Sequence, residues 1–315
     1  MSKVLNYSNF NFKNQTSKYE GKVRDVYTLT DNTLVMIASD RISAFDVVMP
    51  RGITYKGQVL NQIAVKMLKK TKDIVPNWLE INPDPNVSIG KKCDPIKVEM
   101  VVRGFLSGHA YRVYKSGKRK ICGNKIAEGL KENDKFISPI ITPTTKAGQG
   151  LHDQDIHPND IIKKNLLNKN DFEKIYDISL MLYKRGNEIA NESGLILVDT
   201  KYEFGYDSNG EITLIDEIHT PDSSRYFYLD TYEDLQTKGL KQKQLSKEFF
   251  REWLMENNFR GLKGQKIPNI NDDVVKMVSN RYIELYEKLI GEKFDFPSNN
   301  NIINRIQGNL KEFLV

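Results

Sequence analysis

Four charged side chains within one short stretch have the types and spacing for chemistry. Asp199, Lys201 and Glu203 alternate along the otherwise apolar run Leu195 to Tyr206, and Asp216 follows the turn-forming cluster Asp207-Ser208-Asn209-Gly210. A period of two puts Leu195, Leu197, Asp199, Lys201, Glu203 and Gly205 on one strand face. Ile196, Val198, Thr200, Tyr202, Phe204 and Tyr206 take the other, and the return strand groups Ile212, Leu214 and Asp216. A four-residue loop sets Asp216 opposite Lys201 and a two-residue loop sets it opposite Glu203, so both registers bring it to the charged face. Three carboxylates and one ammonium are then neighbours, roughly 7 Å apart along a strand. Carboxylates so placed suit a hard cation such as Mg²⁺, which brings substrate phosphates with it. A solvated antiparallel sheet laced with cross-strand ion pairs has the same pattern. The next segment, Thr220-Pro221-Asp222-Ser223-Ser224-Arg225, favours a site, because it adds hydroxyls and a guanidinium, the planar bidentate binder of phosphate and carboxylate.

Upstream, Gly21-Lys22-Val23-Arg24 reads as strand, with Lys22 and Arg24 on one face and Gly21 permitting close backbone approach. It is either a cover over phosphates or an exposed strand edge. Ser39-Asp40-Arg41-Ile42-Ser43-Ala44-Phe45-Asp46 is dense in polar groups between apolar strands, as a ligand site or as a turn satisfied by its own side chains. Arg103 ends the apolar strand from Pro95 to Leu106 and is a candidate anion ligand. Ser107-Gly108-His109-Ala110 then opens a helix whose first amides could face an anion, although a lone His is more often structural. Pro139 to Ala147, continued by His152 and Asp153, reads as a long polar loop of the functional kind, carrying Lys146 and Asp153.

These residues need a scaffold, and the sequence supplies one. The chain has 315 residues, 39% hydrophobic and 10% aromatic, enough for one large domain or two packed ones. Charged residues at 28% and a net charge of +6 exclude wholesale disorder and suit anionic small substrates as well as nucleic acid. Two cysteines, Cys93 and Cys122, form neither a disulfide framework nor a metal-ligand spacing, which fits a cytoplasmic protein. No run reaches signal-peptide or membrane-span length. Residues 1–18 read as a polar leading arm. Strands follow around a turn at Thr30-Asp31-Asn32, then amphipathic helices over Gly57 to Thr71, Asp171 to Ser193, Ser246 to Asn257 and Asn271 to Ile290. Lys115 to Lys135 reads as a surface excursion.

Six motifs, GKVRDVY, ASDRISAFDVVMP, KVEMVVRGFLSG, TPTTKAGQGLHD, LILVDTKYEFG and LIDEIHTPDSSRYF, occur in one order from about Tyr19 to about Ile290. In this the chain resembles the SAICAR synthetase family, and its layout is more similar to the longer, yeast-like members than to the shortest bacterial ones. The resemblance implies an α+β, two-lobed SAICAR-synthase-like fold. Its N-terminal antiparallel β lobe (1–102) covers ATP, and its C-terminal α/β lobe (103–315) carries the metal and substrate site, with ATP in the cleft. It implies an ATP-dependent ligase of purine biosynthesis that joins CAIR (carboxyaminoimidazole ribotide) and L-aspartate into SAICAR, with ADP and phosphate as products and Mg²⁺ as cofactor. The partners are then small molecules, without nucleic acid or membrane, and the enzyme is a monomer or homodimer.

By motif, the resemblance assigns Gly21, Lys22 and Arg24 to the ATP phosphates and Glu99, Met100 and Val102 to the inter-lobe strand at adenine. Glu203 falls near ribose and metal, Asp216 on Mg²⁺, and Lys146 and Asp153 in the loop over nucleotide and metal. Asp199 and Lys201 fall at the junction of CAIR and γ-phosphate, so that Asp199, Lys201 and Lys22 are the catalytic set. Arg103 and Arg225, with Ser224 beside them, fall on CAIR. Asp40, Arg41, Ser43 and Asp46 fall by the aspartate or CAIR site. Many relatives carry Ser where this chain has His109; either His109 takes its role on the CAIR phosphate, Ser107 does, or the contact is absent.

Two other classes compete. A kinase would share the nucleotide site, but no His-Arg-Asp loop or Asp-Phe-Gly is present. A nucleic-acid binder would suit the basic run Lys115 to Lys120, but the basic residues are scattered and no binding module appears.

Overall fold

The structure is a computed structural model that describes residues 4–146, 154–296 and 301–315. In chain order come β1 (Gln15–Glu20), β2 (Arg24–Leu29), β3 (Thr33–Ala38), β4 (Ser43–Ala44), β5 (Val47–Val48), α1 (Lys56–Lys70), β6 (Leu79–Asp84), β7 (Val87–Lys91) and β8 (Asp94–Phe105). Next are α2 (Gly108–Lys115), β9 (Lys120–Ile121), β10 (Asn124–Lys125), β11 (Lys135–Thr145), α3 (Pro158–Lys163), α4 (Lys169–Glu192), β12 (Leu195–Tyr206), β13 (Ile212–Ile215) and β14 (Ser224–Tyr228). The chain ends with α5 (Leu229–Thr237), β15 (Gln244–Leu245), α6 (Glu248–Glu256), α7 (Asp272–Ile290) and α8 (Ile302–Asn309).

Two antiparallel sheets make an α+β, two-lobed architecture. The first runs β1-β2-β3-β7-β6 and the second β11-β8-β12-β14-β15, with β13 paired to β12. The chain passes from one to the other between Lys91 and Asp94, so a division at 102/103 would cut through β8. On the first sheet, Tyr27, Val35, Ile37 and Ile89 pack against Leu5, Phe10 and Phe12, and against Ile302, Ile306 and Leu310 of α8. The opposite face, with Val26, Leu34 and Met36, lines a cleft. The N-terminal residues are therefore not a polar arm, because every apolar residue in them has a place in this core.

On the second sheet α4 covers one face, and its stripe Phe172, Ile175, Ser179, Leu182, Gly186 and Ile189 is buried as the periodicity requires. Gly104 is glycine because Tyr183 packs on its backbone; a Cβ there would lie 2.1 Å from the Tyr183 hydroxyl. Lys135 to Thr145 is strand rather than loop. Its prolines, Pro139 and Pro143, are tolerated because β11 is an edge strand with an irregular register before Ile140.

The lobes are stitched by main chain. Trp78 N–H donates to the Leu214 carbonyl (3.0 Å), and Leu214 N–H donates to the Pro76 carbonyl (2.9 Å). The closing helix α8 is part of the first lobe's core. Ile306→Ala, which empties a fully buried position there, should lower stability by about 2–5 kcal/mol. Urea unfolding would read this, and an unchanged midpoint would mean that α8 does not hold the lobe.

Candidate active site

Strand β12 positions the charged residues, but not by simple alternation. A bulge between Leu197 and Asp199 changes the parity of its faces. Leu195 and Leu197 face the main core before it, whereas Tyr202 and Phe204 do so after it, leaving Asp199, Lys201 and Glu203 on the cleft side. The loop before β13 spans five residues, and Glu203 pairs with Ile215. That register would turn Asp216 toward the core, opposite Tyr202. Instead β13 ends at Ile215, and Asp216 adopts a left-handed backbone, φ 62°, that swings its carboxylate back into the cleft. Both sequence-derived registers were therefore wrong by one residue, and a backbone kink restores the placement. The Trp78 indole N–H holds this kink by donating to the Asp216 carbonyl at 2.9 Å.

The cleft between the sheets contains a cavity of about 730 Å³. Its first-lobe wall carries Gly21, Lys22 and Arg24; its apolar floor includes Val26, Met36, Cys93 and Pro95. Glu99, Lys146, Lys201, Glu203 and Asp216 line the other side. Gly21 and Lys22 lie in the turn between β1 and β2 rather than within a strand. The charges satisfy one another. Arg24 pairs with Asp216 and with Glu217, each at 2.5 Å. Lys201 donates to Glu99 at 2.9 Å and also to Glu203, which Lys146 holds from the other side. Burial disfavours all these charges, yet Lys201 and Lys146 keep the Glu203 carboxyl well below the ordinary range, and Glu203 and Glu99 keep Lys201 well above its own. Lys22 pairs with Asp46 at the rim.

A second cavity, about 350 Å³, lies along the same sheet and is lined by Arg103, His109, Asp155, Asp199, Ser224 and Arg225 among others. Glu99 and Lys201 line both cavities. Asp199 accepts from Arg103 (3.1 Å) and Arg225 (2.5 Å). Arg103 also donates to Thr142 (2.8 Å), and Arg225 to Glu248 (3.1 Å). His109 Nε2 is 2.8 Å from Asp155, and Ser224 donates to the Thr200 hydroxyl at 2.7 Å. Gly108 opens α2 at φ 54° flat against Arg225; a Cβ would lie 2.5 Å from the guanidinium.

Other expected residues lie elsewhere. Asp40 is buried and accepts from the Leu5 and Gly57 amides at 2.8 and 2.9 Å. Burial outweighs these bonds and pushes its carboxyl up to about 6. Arg41, also buried, pairs with Asp25 and donates to the Gly21 and Lys22 carbonyls, bracing the turn from behind. Ser43 is buried in β4. Met100 and Val102 point into the core, with both ladders of β8 filled, and Cys93 and Pro95 take the cavity wall instead. Ser107 lines an adjoining hollow. Asp153 lies outside the described residues. Sequence reading missed Lys56, Glu217, Lys247, Glu248 and Arg251. Their signal is the same throughout: a charged residue inside an otherwise apolar window, where an ion needs a partner.

A model described as SAICAR synthetase matches residues 17–266. The phosphoribosylaminoimidazole-succinocarboxamide synthase of Flavobacterium psychrophilum is 59% identical over 311 residues, covering 99% of this chain and 98% of its own. That of Bacteroides thetaiotaomicron is 57% identical over 312 residues, covering 99% of each. Among solved structures, the SAICAR synthase of Saccharomyces cerevisiae complexed with SAICAR aligns with a TM-score of 0.75 at 33% identity, over 88% of this chain and 95% of that one. A SAICAR synthetase in complex with ADP aligns at 0.69 and 27% identity, over 89% and 100%.

Behind β12, His219 donates to or accepts from the Tyr202 hydroxyl at 2.7 Å. Burial lowers its imidazole from 6.5 to about 3. A folded-state value below the unfolded one gives stability that is complete above pH 6.5 and lost as the pH falls toward 3. The slope approaches about 1.4 kcal/mol per pH unit. His219→Asn should flatten the pH dependence of urea midpoints between pH 6 and 4 by up to one proton's worth; parallel curves for the two proteins would contradict this.

Proposed function

The chain belongs to the SAICAR synthetase family, ATP-dependent ligases of purine biosynthesis that join CAIR and L-aspartate, and from that premise we propose that ATP occupies the larger cavity and CAIR the smaller. One observation carries the assignment: Lys201 and Glu99 belong to both cavities, so a phosphoryl group at the end of one faces a carboxylate at the end of the other.

In this reading adenine lies on the apolar floor, by Val26, Met36, Cys93 and Pro95, and the first lobe covers the nucleotide. Lys22, Arg24 and Lys146 receive the phosphates. CAIR is held at its phosphate by Arg103, Arg225 and His109, with the first amides of α2 alongside. Its carboxylate meets the γ-phosphate at Lys201. A free carboxylate resists amines because its leaving group would be oxide. Its oxygen attacks the γ-phosphorus, the bond to the β-phosphate oxygen breaks, and ADP departs. The amine of aspartate then attacks the acyl carbon, loses a proton, and phosphate leaves. Lys201 and Lys22 offset the charge that develops, and Asp199 fixes both guanidinium groups, so the chain contributes position and electrostatics.

Mg²⁺ fits the residues present. Glu203 and Asp216 offer hard oxygen donors, and an ion that also binds phosphates needs only one or two carboxylates. Burial, with Glu203 and Glu217 nearby, raises the Asp216 carboxyl, the mark of crowded negative charge that a cation would relieve. When bound, the ion neutralises phosphate oxygens. Two free thiols, Cys93 and Cys122, fit the cytosol, and both cavities are lined by one chain, as a monomer or homodimer would require.

ADP release should depend strictly on CAIR and L-aspartate together and should stop when EDTA is added. Release without aspartate would turn the reading toward a kinase. Arg225→Gln should raise the KM for CAIR about 10- to 100-fold while the KM for ATP changes about twofold or less, because it removes a charged hydrogen-bond donor from the smaller cavity. His109→Ala should raise the same KM by less, and an unchanged value would reject its role on the phosphate.

A further inference from the structure

Lys56 is the first residue of α1, and its side chain has no exposed surface. The position is unfavourable twice. Burying an ammonium costs desolvation that a buried ion pair often only balances. The N-terminus of a helix is also its positive end, and the first turn of α1 holds no acid. Stability alone gives little reason for a lysine here. Lys56 Nζ donates to Asp222 at 2.9 Å, 5.7 Å from the centre of the Tyr282 ring. Asp222 also accepts from the Tyr282 hydroxyl at 2.6 Å and lies 3.4 Å from Lys247. Asp222 stands in the middle of the loop that ends at Arg225. That loop is tied to β12, where Lys201 N–H donates to the Ser223 carbonyl at 3.1 Å and Ser224 bonds Thr200.

The other end of the connection reaches the nucleotide cavity. Gly57, beside Lys56, donates its N–H to Asp40. The next residue, Arg41, braces the Gly21-Lys22 turn. A line of buried polar contacts thus runs from that turn through Asp40 and α1 to the loop bearing Arg225. We propose that Lys56 is a positioning residue for the smaller cavity, holding the Thr220–Arg225 loop to the first lobe so that Arg225 meets its ligand in register with the nucleotide turn. The inference rests on CAIR occupying that cavity. Lys56 lines neither cavity, so its effect is indirect.

The test compares wild type, Lys56→Met, the double variant Lys56→Met with Asp222→Asn, and Arg225→Gln. Readouts are the melting temperature, ADP affinity by calorimetry and KM for each substrate. Lys56→Met strands the carboxylate; the double variant removes both charges and should melt near wild type. Both should keep ADP affinity within about twofold and raise the KM for CAIR at least about tenfold. A CAIR KM within about twofold of wild type in a folded variant would overturn the proposal, and so would a parallel loss of ADP affinity. Failure of both variants to fold would also overturn it, by making the pair a determinant of stability. If Arg225→Gln leaves the CAIR KM unchanged, the placement of CAIR fails instead.

Discussion

In the pairing of β8 with β12, Arg103 faces Asp199 and Glu99 faces Glu203. This register is the constraint on which the site depends. It makes one continuous polar surface from four alternating residues on two neighbouring strands, with Met100, Val102, Tyr202 and Phe204 buried behind it. A slip of one residue would send the charged set into the core and the apolar set into the cleft. Two carboxylates directly opposite one another are unfavourable unless cations intervene. Here Lys201 bridges Glu99 and Glu203, and Lys146 caps the latter. The lysine that joins the two cavities is therefore also the one that lets these strands pair.

The ion pairs of the cleft share a second property. The cations expected to receive phosphates and the carboxylates expected to receive a metal neutralise each other: Arg24 with Asp216 and Glu217, Lys146 with Glu203, Arg103 and Arg225 with Asp199. Buried charges left unpaired would be costly. Binding a metal and a phosphorylated ligand exchanges partners instead of creating or stripping charges. The desolvation of these groups was largely met on folding, which favours recognition of a phosphate by preformed donors.

Sequence carried the elements with strong periodicity. The stripe of α4, the turn at Thr30-Asp31-Asn32 and the Asn271 cap of α7 are where the pattern puts them. Reading was poorer where a local feature overrides periodicity. The bulge in β12 and the left-handed Asp216 change facing without any residue-type signal. The prolines of β11 argue against strand to anyone who does not know that it is an edge. Asp40 and Arg41 look like ligands because polar residues between strands need partners, but their partners are main-chain groups and Asp25. Pairing at a distance, such as Lys56 with Asp222, is set by tertiary structure and leaves only the trace of a lysine amid apolar neighbours.

The stitch between Pro76-Trp78 and Leu214 fixes the axis about which the lobes can rotate. Main-chain bonds there resist shear, so relative motion resembles the opening of a book along its spine. Asp216 follows Ile215 at the end of β13, and Trp78 grips its carbonyl from the other cover. A point bound to both covers at the spine cannot travel with either. Breathing of the cleft would therefore widen its mouth while the carboxylate at its root stays in place, giving the chain a fixed origin from which the position of an incoming charge is set.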